Sequence, residues 1–270
     1  MSKHGKAGGI YSKGTGLKIY GAFIFAFLYF PLVIVLIFSF SPTRTIFGME
    51  GLTLKWYREL IQDQGLINAF LHSILVGLGA VIISTVLGTA GAFFITKVNF
   101  PGKALFRALV MLPFLLPGII MGLTLLIFVR NLNIPLSPFP ILLGHVSFTT
   151  PIVMFQVSSR LLRMSPSYRD AAYDLGANPF QTFWYVTLPM IRTAIIGGAL
   201  LAFTVSFDEI VISYFLTGTW MTLPVFIYGM LRFGLSPKVY AISTIILFLS
   251  LTLMVLMARY MGRSGESYHK

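Results

Sequence analysis

Ala69-Phe-Leu-His-Ser-Ile-Leu-Val-Gly-Leu-Gly-Ala-Val-Ile-Ile-Ser-Thr-Val-Leu-Gly-Thr-Ala-Gly-Ala-Phe-Phe-Ile-Thr96 carries no charged side chain and ends against Lys97. About twenty apolar residues let a helix cross the hydrocarbon of a bilayer, where backbone polar groups must be satisfied inside the segment itself. The stretch therefore predicts a membrane-spanning helix. Five further apolar windows, near residues 19–40, 108–129, 141–159, 193–215 and 239–258, predict an all-α integral membrane protein with six transmembrane helices. A window from Ile210 to Leu231 contains Gly218, Thr219 and Pro224 directly after Asp208 and Glu209, and reads as a re-entrant or surface segment.

Composition agrees. Of 270 residues, 56% are hydrophobic and 10% charged, against roughly a quarter charged in a soluble domain. The net charge of +12 would make a soluble chain a nucleic-acid candidate, but basic residues flanking cytoplasmic span ends produce the same excess. In the six-span plan Lys3, Lys6, Lys13, Lys18, Lys97, Lys103, Arg107, Arg160, Arg163, Arg169, Arg192, Arg259, Arg263 and Lys270 share one side. Only Arg44, Lys55, Arg58, Arg130, Arg232 and Lys238 fall on the other, so both termini are expected in the cytoplasm. The apolar run from Ile19 to Phe40 is too long for a signal peptide and ends without a small-residue cleavage site, as an uncleaved first span would.

Four segments follow: a basic cytoplasmic tail (1–18), a first span with its external loop (19–68), the main transmembrane domain (69–259) and a second cytoplasmic tail (260–270). Pro113, Pro117, Gly118 and Gly122 fall inside the third span, which should be kinked, as helices lining a transport path often are.

The longest cytoplasmic loop runs from Arg160 to Arg192 and parses into two short helices. Ser165 and Pro166 open the first as N-cap and first helical residue, and Gly176 closes it in the left-handed conformation. Tyr168, Ala171, Ala172 and Leu175 share one shallow apolar face, while Asp170 and Asp174 lie a turn apart on another. Such a face suits a groove in a partner protein. Asn178-Pro179 starts the second helix, whose Phe180, Phe183 and Trp184 suit the membrane interface.

This loop, with Asp170-Ala171-Ala172, Gly176, Val186 and Leu188-Pro189, resembles that of type I ABC importer permeases, whose pattern is Glu-Ala-Ala, three residues, Gly, nine residues, Ile, any residue, Leu-Pro. Asp replaces Glu and Val replaces Ile at unchanged spacing. The resemblance implies that Asp170, Ala171, Ala172, Asp174, Leu175 and Gly176 form a coupling helix, between spans four and five, that rests in a cleft of a cytoplasmic ATPase. It also implies a second homologous permease subunit, two ATP-binding subunits and a periplasmic solute-binding protein, at the bacterial inner membrane. His72-Ser73, Ser206-Phe207-Asp208-Glu209, Thr222-Leu223-Pro224 and residues 234–241 look most like the spermidine/putrescine permeases of the family, which tend to have Asn at the place of His72 and Asp-Asp at that of Asp208-Glu209. Opines, aminophosphonates or other small charged solutes are alternative substrates.

Lys97 stands where a phosphate loop's first glycine would be and Ala104 follows Gly102-Lys103, so ATP and Mg belong to a partner chain and no cofactor is expected here. The absence of cysteine excludes thiolate metal sites, and no His-Glu-x-x-His helix or Gly-x-Ser-x-Gly turn occurs. Neither an enzyme nor a metal site is expected. An ion-driven transporter, the alternative of another class, would need acids deep in several spans, and only Asp208 and Glu209 come close. Those two acids could attract a cation, with Tyr214, Trp220 and Tyr228 as cation-π faces, or could simply cap neighbouring helices. His72 and His145 are lesser candidates at the outer ends of their spans.

Overall fold

The computed structural model describes residues 14–43, 51–232, 234 and 237–266, which are helical without a strand. Most of the expected tail 1–18 and the end of the tail 260–270 lie outside the described residues. The helices are α1 (Gly14–Phe38), α2 (Lys55–Gln62), α3 (Gln64–Lys97), α4 (Lys103–Leu115), α5 (Gly118–Asn131), α6 (Pro138–Arg163), α7 (Ser167–Asp174), α8 (Pro179–Thr182), α9 (Leu188–Phe207), α10 (Val211–Leu216), α11 (Leu223–Arg232) and α12 (Pro237–Glu266). A π-helical turn, Phe183–Thr187, joins α8 to α9.

Among the described residues, α1, α3, α6 and the continuous run Pro179–Phe207 are long and apolar enough to cross a membrane. The expected third span is two helices, because α4 and α5 meet at 101°. The cause is local. Proline disfavours the helical region for the residue before it, and Leu116 is extended (φ −70°, ψ 142°) ahead of Pro117, while Pro113 remains inside α4. Counting this bent pair as one crossing gives five. The helix expected over 193–215 begins earlier, at Pro179, and stops at Phe207; after Asp208 the chain resumes as α10. Of the window beyond it, Leu223–Arg232 is a short apolar helix, α11. The described apolar part of α12 is likewise short, Pro237–Thr252.

Two compact units divide the chain: residues 1–62 with 234–256, and residues 63–233 with 257–270. In the first, Trp56 Nε1 donates to the carbonyl of Ser41 at 2.8 Å and Phe38 packs against Tyr240. α1 is apolar and has no buried residue in its crossing window, as a lipid-facing helix would.

The second unit is built on α3 against α6 and α9. Asp63 starts α3, its carboxylate accepting from the N–H of Leu66 at 3.1 Å. Along α3, Gly77, Ala80, Ser84, Gly88 and Ala92 are buried, while Leu71, Leu75, Ile82 and Val86 are exposed. Small residues inside and large apolar residues outside invert the soluble pattern. In lipid the large side chains lose nothing by facing outwards, and small ones let helix backbones approach. A Cβ on Gly88 would lie 2.8 Å from Val153 Cβ and 2.9 Å from the backbone of Met154 and Thr150. Around that contact Ala92, Val153, Val157, Leu161, Ile191 and Ala202 form one core cluster. A second, of Val76, Met121, Val129, Ile141, Phe148, Ile212 and Leu216, holds α5 and α10 to α3 and α6.

Candidate functional site

Two places carry the candidate residues, one in the loop after α6 and one around the break after α9.

In the loop, α7 is eight residues long with Pro166 at its N-cap, so the expected first helix is present within a residue at each end. Ser165 contributes through its hydroxyl, which bonds Ser167 Oγ at 2.6 Å and accepts from Ser167 N at 3.4 Å. Gly176 closes the turn with φ +83°, and the N–H of Ala177 reaches back to the carbonyl of Ala172 at 3.0 Å. That is the glycine-terminated cap in which the left-handed residue satisfies the last carbonyls. The apolar face divides: Ala172 is buried against the chain, whereas Tyr168, Ala171 and Leu175 are exposed, Leu175 at 88%. Asp170 and Asp174 are exposed as well. α7 thus presents Tyr168, Ala171 and Leu175 outwards, beside the exposed carboxylates of Asp170 and Asp174.

Asn178 caps α8 in a reciprocal capping box, its Oδ1 accepting from Gln181 N at 2.8 Å while Gln181 Oε1 accepts from Asn178 N at 2.9 Å. The second helix is no separate piece, because α8, the π turn and α9 run on as one rod with Pro189 in the first turn of α9. Arg160 on α6 clamps this junction, donating from Nε to the carbonyl of Met190 at 3.0 Å.

At the other end of α9 the acidic pair separates. Glu209 Oε1 accepts from the N–H of Ile212 at 2.8 Å and so opens α10. Asp208 caps α9 through its backbone, and its exposed carboxylate has no partner among the described residues. His145 bridges the break from α6. Its Nδ1 meets Ser206 Oγ at 2.7 Å and its Nε2 meets Ser213 Oγ at 2.8 Å, with the residue 1% exposed. An imidazole with one ring proton donates to one serine and accepts from the other, so all three groups are satisfied. Thr149, one turn on, bonds Ser84 Oγ at 2.5 Å and the carbonyl of His145 at 2.7 Å. His145 therefore sits in a buried polar seam.

His72 stacks on Trp220 with ring centres 3.7 Å apart, and its Nδ1 lies 2.9 Å from the carbonyl of Met221. Ser73 beside it accepts from the N–H of Leu223 at 2.8 Å. These contacts anchor the segment between α10 and α11 to the start of α3. Tyr214 and Tyr228 meet edge to face at 5.7 Å, and Arg232 Nη1 donates to the Tyr214 hydroxyl at 3.3 Å. The tyrosine pair thus has a cation beside it already. Sequence reasoning passed over Arg232, and also the bonding roles of Ser73, Ser206 and Ser213, although two of those serines fall within stretches that carried the resemblance. Among the described residues no cluster of three or more His, Cys, Asp or Glu could hold a metal ion.

Residues 84–264 match the family described as binding-protein-dependent transport system inner membrane component. The chain is 34% identical over 233 residues to the spermidine/putrescine transport system permease protein PotC of Escherichia coli, covering 86% of this chain and 88% of that one. To the putrescine transport system permease protein PotI of the same organism it is 36% identical over 231 residues, 83% and 82% of the two chains. In fold it is similar to a chain of a bacterial ABC transporter that imports the acidic polysaccharide alginate, with a TM-score of 0.70, 18% identity and coverage of 96% and 99%.

Proposed function

The chain belongs to the family of binding-protein-dependent transport inner membrane components and is the permease subunit of an ABC importer, and from that premise we propose that it conducts a polyamine, spermidine or putrescine, across the bacterial inner membrane. The observation that carries the substrate is the similarity to two polyamine permeases over more than four fifths of each chain.

The proposed arrangement has six spans: α1, α3, the bent pair α4–α5, α6, the rod from α8 to α9, and α12. Both termini then lie in the cytoplasm with the basic loops. α7 is the coupling helix. Its exposed Tyr168, Ala171 and Leu175 enter a cleft of the ATPase, and Asp170 and Asp174 flank that contact. One coupling helix per chain implies a second permease subunit, two ATPases and a periplasmic binding protein that delivers the solute.

Asp208 gives the substrate path its chemistry. Glu209 is committed to α10, which leaves Asp208 as the acid of the pair that can exchange water for an ammonium group. Exposed Tyr214 and Tyr228 add ring faces, and Arg232 beside them opposes a resting cation, which favours passage over retention. His72, Trp220 and His145 shape this region without needing to touch solute.

The test is uptake by the assembled transporter in proteoliposomes with its binding protein and radiolabelled putrescine, spermidine, an opine and an aminophosphonate. ATP-dependent accumulation of the polyamines, blocked by excess unlabelled polyamine, is expected. Accumulation of the opine or aminophosphonate alone would overturn the assignment.

A further inference from the structure

A cavity of about 510 Å³ opens between the C-terminal end of α3, the first turns of α4 and the C-terminal half of α6. Its wall combines two chemistries. Lys103, Arg107, Thr96 and Ser158 supply the polar part, and Met111, Met154, Phe155 and Leu162 are among its apolar residues. No acid lines it.

Thr96 is spent on its own helix, its hydroxyl donating to the carbonyl of Ala92 at 2.7 Å, but the other polar groups are not. The Arg107 guanidinium has no hydrogen bond or ion pair with any described residue, and Lys103 Nζ meets only the neutral side-chain oxygen of Asn99, at 3.3 Å. Ser158 Oγ is buried without a hydrogen-bond partner, although a buried hydroxyl normally has one. α4 starts at this same wall, and Gly102 (φ +84°) gives it no side-chain cap. The helix therefore contributes the positive end of its dipole beside two cations. Four independent features favour a negative group, whereas the polyamine proposed as substrate would be repelled. The apolar remainder asks for something besides a free ion.

We propose that this cavity holds an anionic phospholipid, with its phosphate on Lys103, Arg107 and Ser158 and an acyl chain along Met111, Phe155 and Leu162. α6 ends at Arg163 and α7 begins at Ser167, so the site lies at the α7 end of the bundle, where a lipid of the cytoplasmic leaflet would reach it. Positively charged residues at that level attract anionic leaflets generally. What singles out this pair is the cavity and the buried hydroxyl behind it.

The experiment uses the complete transporter in nanodiscs of phosphatidylcholine with a minor share of phosphatidylglycerol, which gives the surface a negative potential. Lipid retained after detergent extraction is counted by native mass spectrometry for wild type, for Lys103→Gln with Arg107→Gln, for Ser158→Ala, and for Arg163→Gln as an off-site charge control. Wild type and the control should retain phosphatidylglycerol, and the double variant should retain it roughly tenfold less. Ser158→Ala, which leaves every charge in place, should lose it in part and guards against a double variant that fails to assemble. Equal retention by all four, or equal loss in the control, would overturn the proposal. Saturable binding of inorganic phosphate that displaces no lipid would assign the site to a free anion instead. None of these readouts depends on which solute is carried.

Discussion

The Cα of Gly88 on α3 faces Val153 on α6 so closely that a Cβ there would stand 2.8 Å from the valine Cβ. That approach sets the distance between α3 and α6. Gly88→Val should push the backbones apart and cost roughly 1–3 kcal/mol or more. Thermal unfolding of the purified complex and its assembly on size exclusion would show the loss, which Gly229→Ala, in open space, should not produce.

Gly176→Val and Asp170→Lys should uncouple ATP hydrolysis from uptake while the subunits still assemble. At φ +83° a β-branched residue is strained by on the order of 1 kcal/mol or more, and the turn that ends α7 must shift. Nothing lies within 4 Å of the added Cβ, so strain and not collision is the cause. Lysine at Asp170 reverses a charge in the first turn of α7, where a carboxylate suits the helix dipole. Solute-stimulated ATPase rates and uptake in proteoliposomes are the measurements, and wild-type values for both variants would remove α7 from the coupling role.

The acidic pair should split under mutation. Asp208→Asn keeps size and removes charge from an unpartnered side chain, so uptake should fall severalfold with little change in melting temperature. Glu209→Ala removes the acceptor for Ile212 N and should cost roughly 1 kcal/mol of stability, as other lost caps do. Equal effects of the two on uptake and on melting would refute this division.

His145→Leu should destabilise by roughly 1–3 kcal/mol for each serine hydroxyl left unpaired in the seam. Combining it with Ser206→Ala and Ser213→Ala should recover part of the loss, since removing all partners is milder than orphaning two. A triple variant less stable than His145→Leu would show that the serines have other partners.

Legibility in the sequence followed the range of each signal. Gly176, Asn178 and Pro166 act through their own backbone and nearest turn, and both ends of α7 and the start of α8 were accordingly predictable. Pro113 and Pro117 pointed to a kink, but the presence of both in one span does not say which turns the chain: Pro113 stays inside α4 and the 101° bend falls at Leu116-Pro117. The rod from Pro179 was hidden because Arg192 bounds the charge-free window that located the span near 193, whereas the helix runs through Pro189, in the first turn of α9, without a break. Apolar length located α3, but the buried ridge of Ser84 and Gly88 emerges only against Val153. Nothing local to His145 says that its two partners come from 61 and 68 residues away.

The π turn at Phe183–Thr187 stores one surplus residue in the rod between α7 and Asp208, with the N–H of Leu188 bonded back to Phe183. An α-helix advances about 100° per residue, so expelling that residue into the loop would rotate the whole of α9 by about that angle about its axis. A displacement of the loop by one residue's worth of register would re-aim the Asp208 carboxylate at the far end without breaking any helix between them.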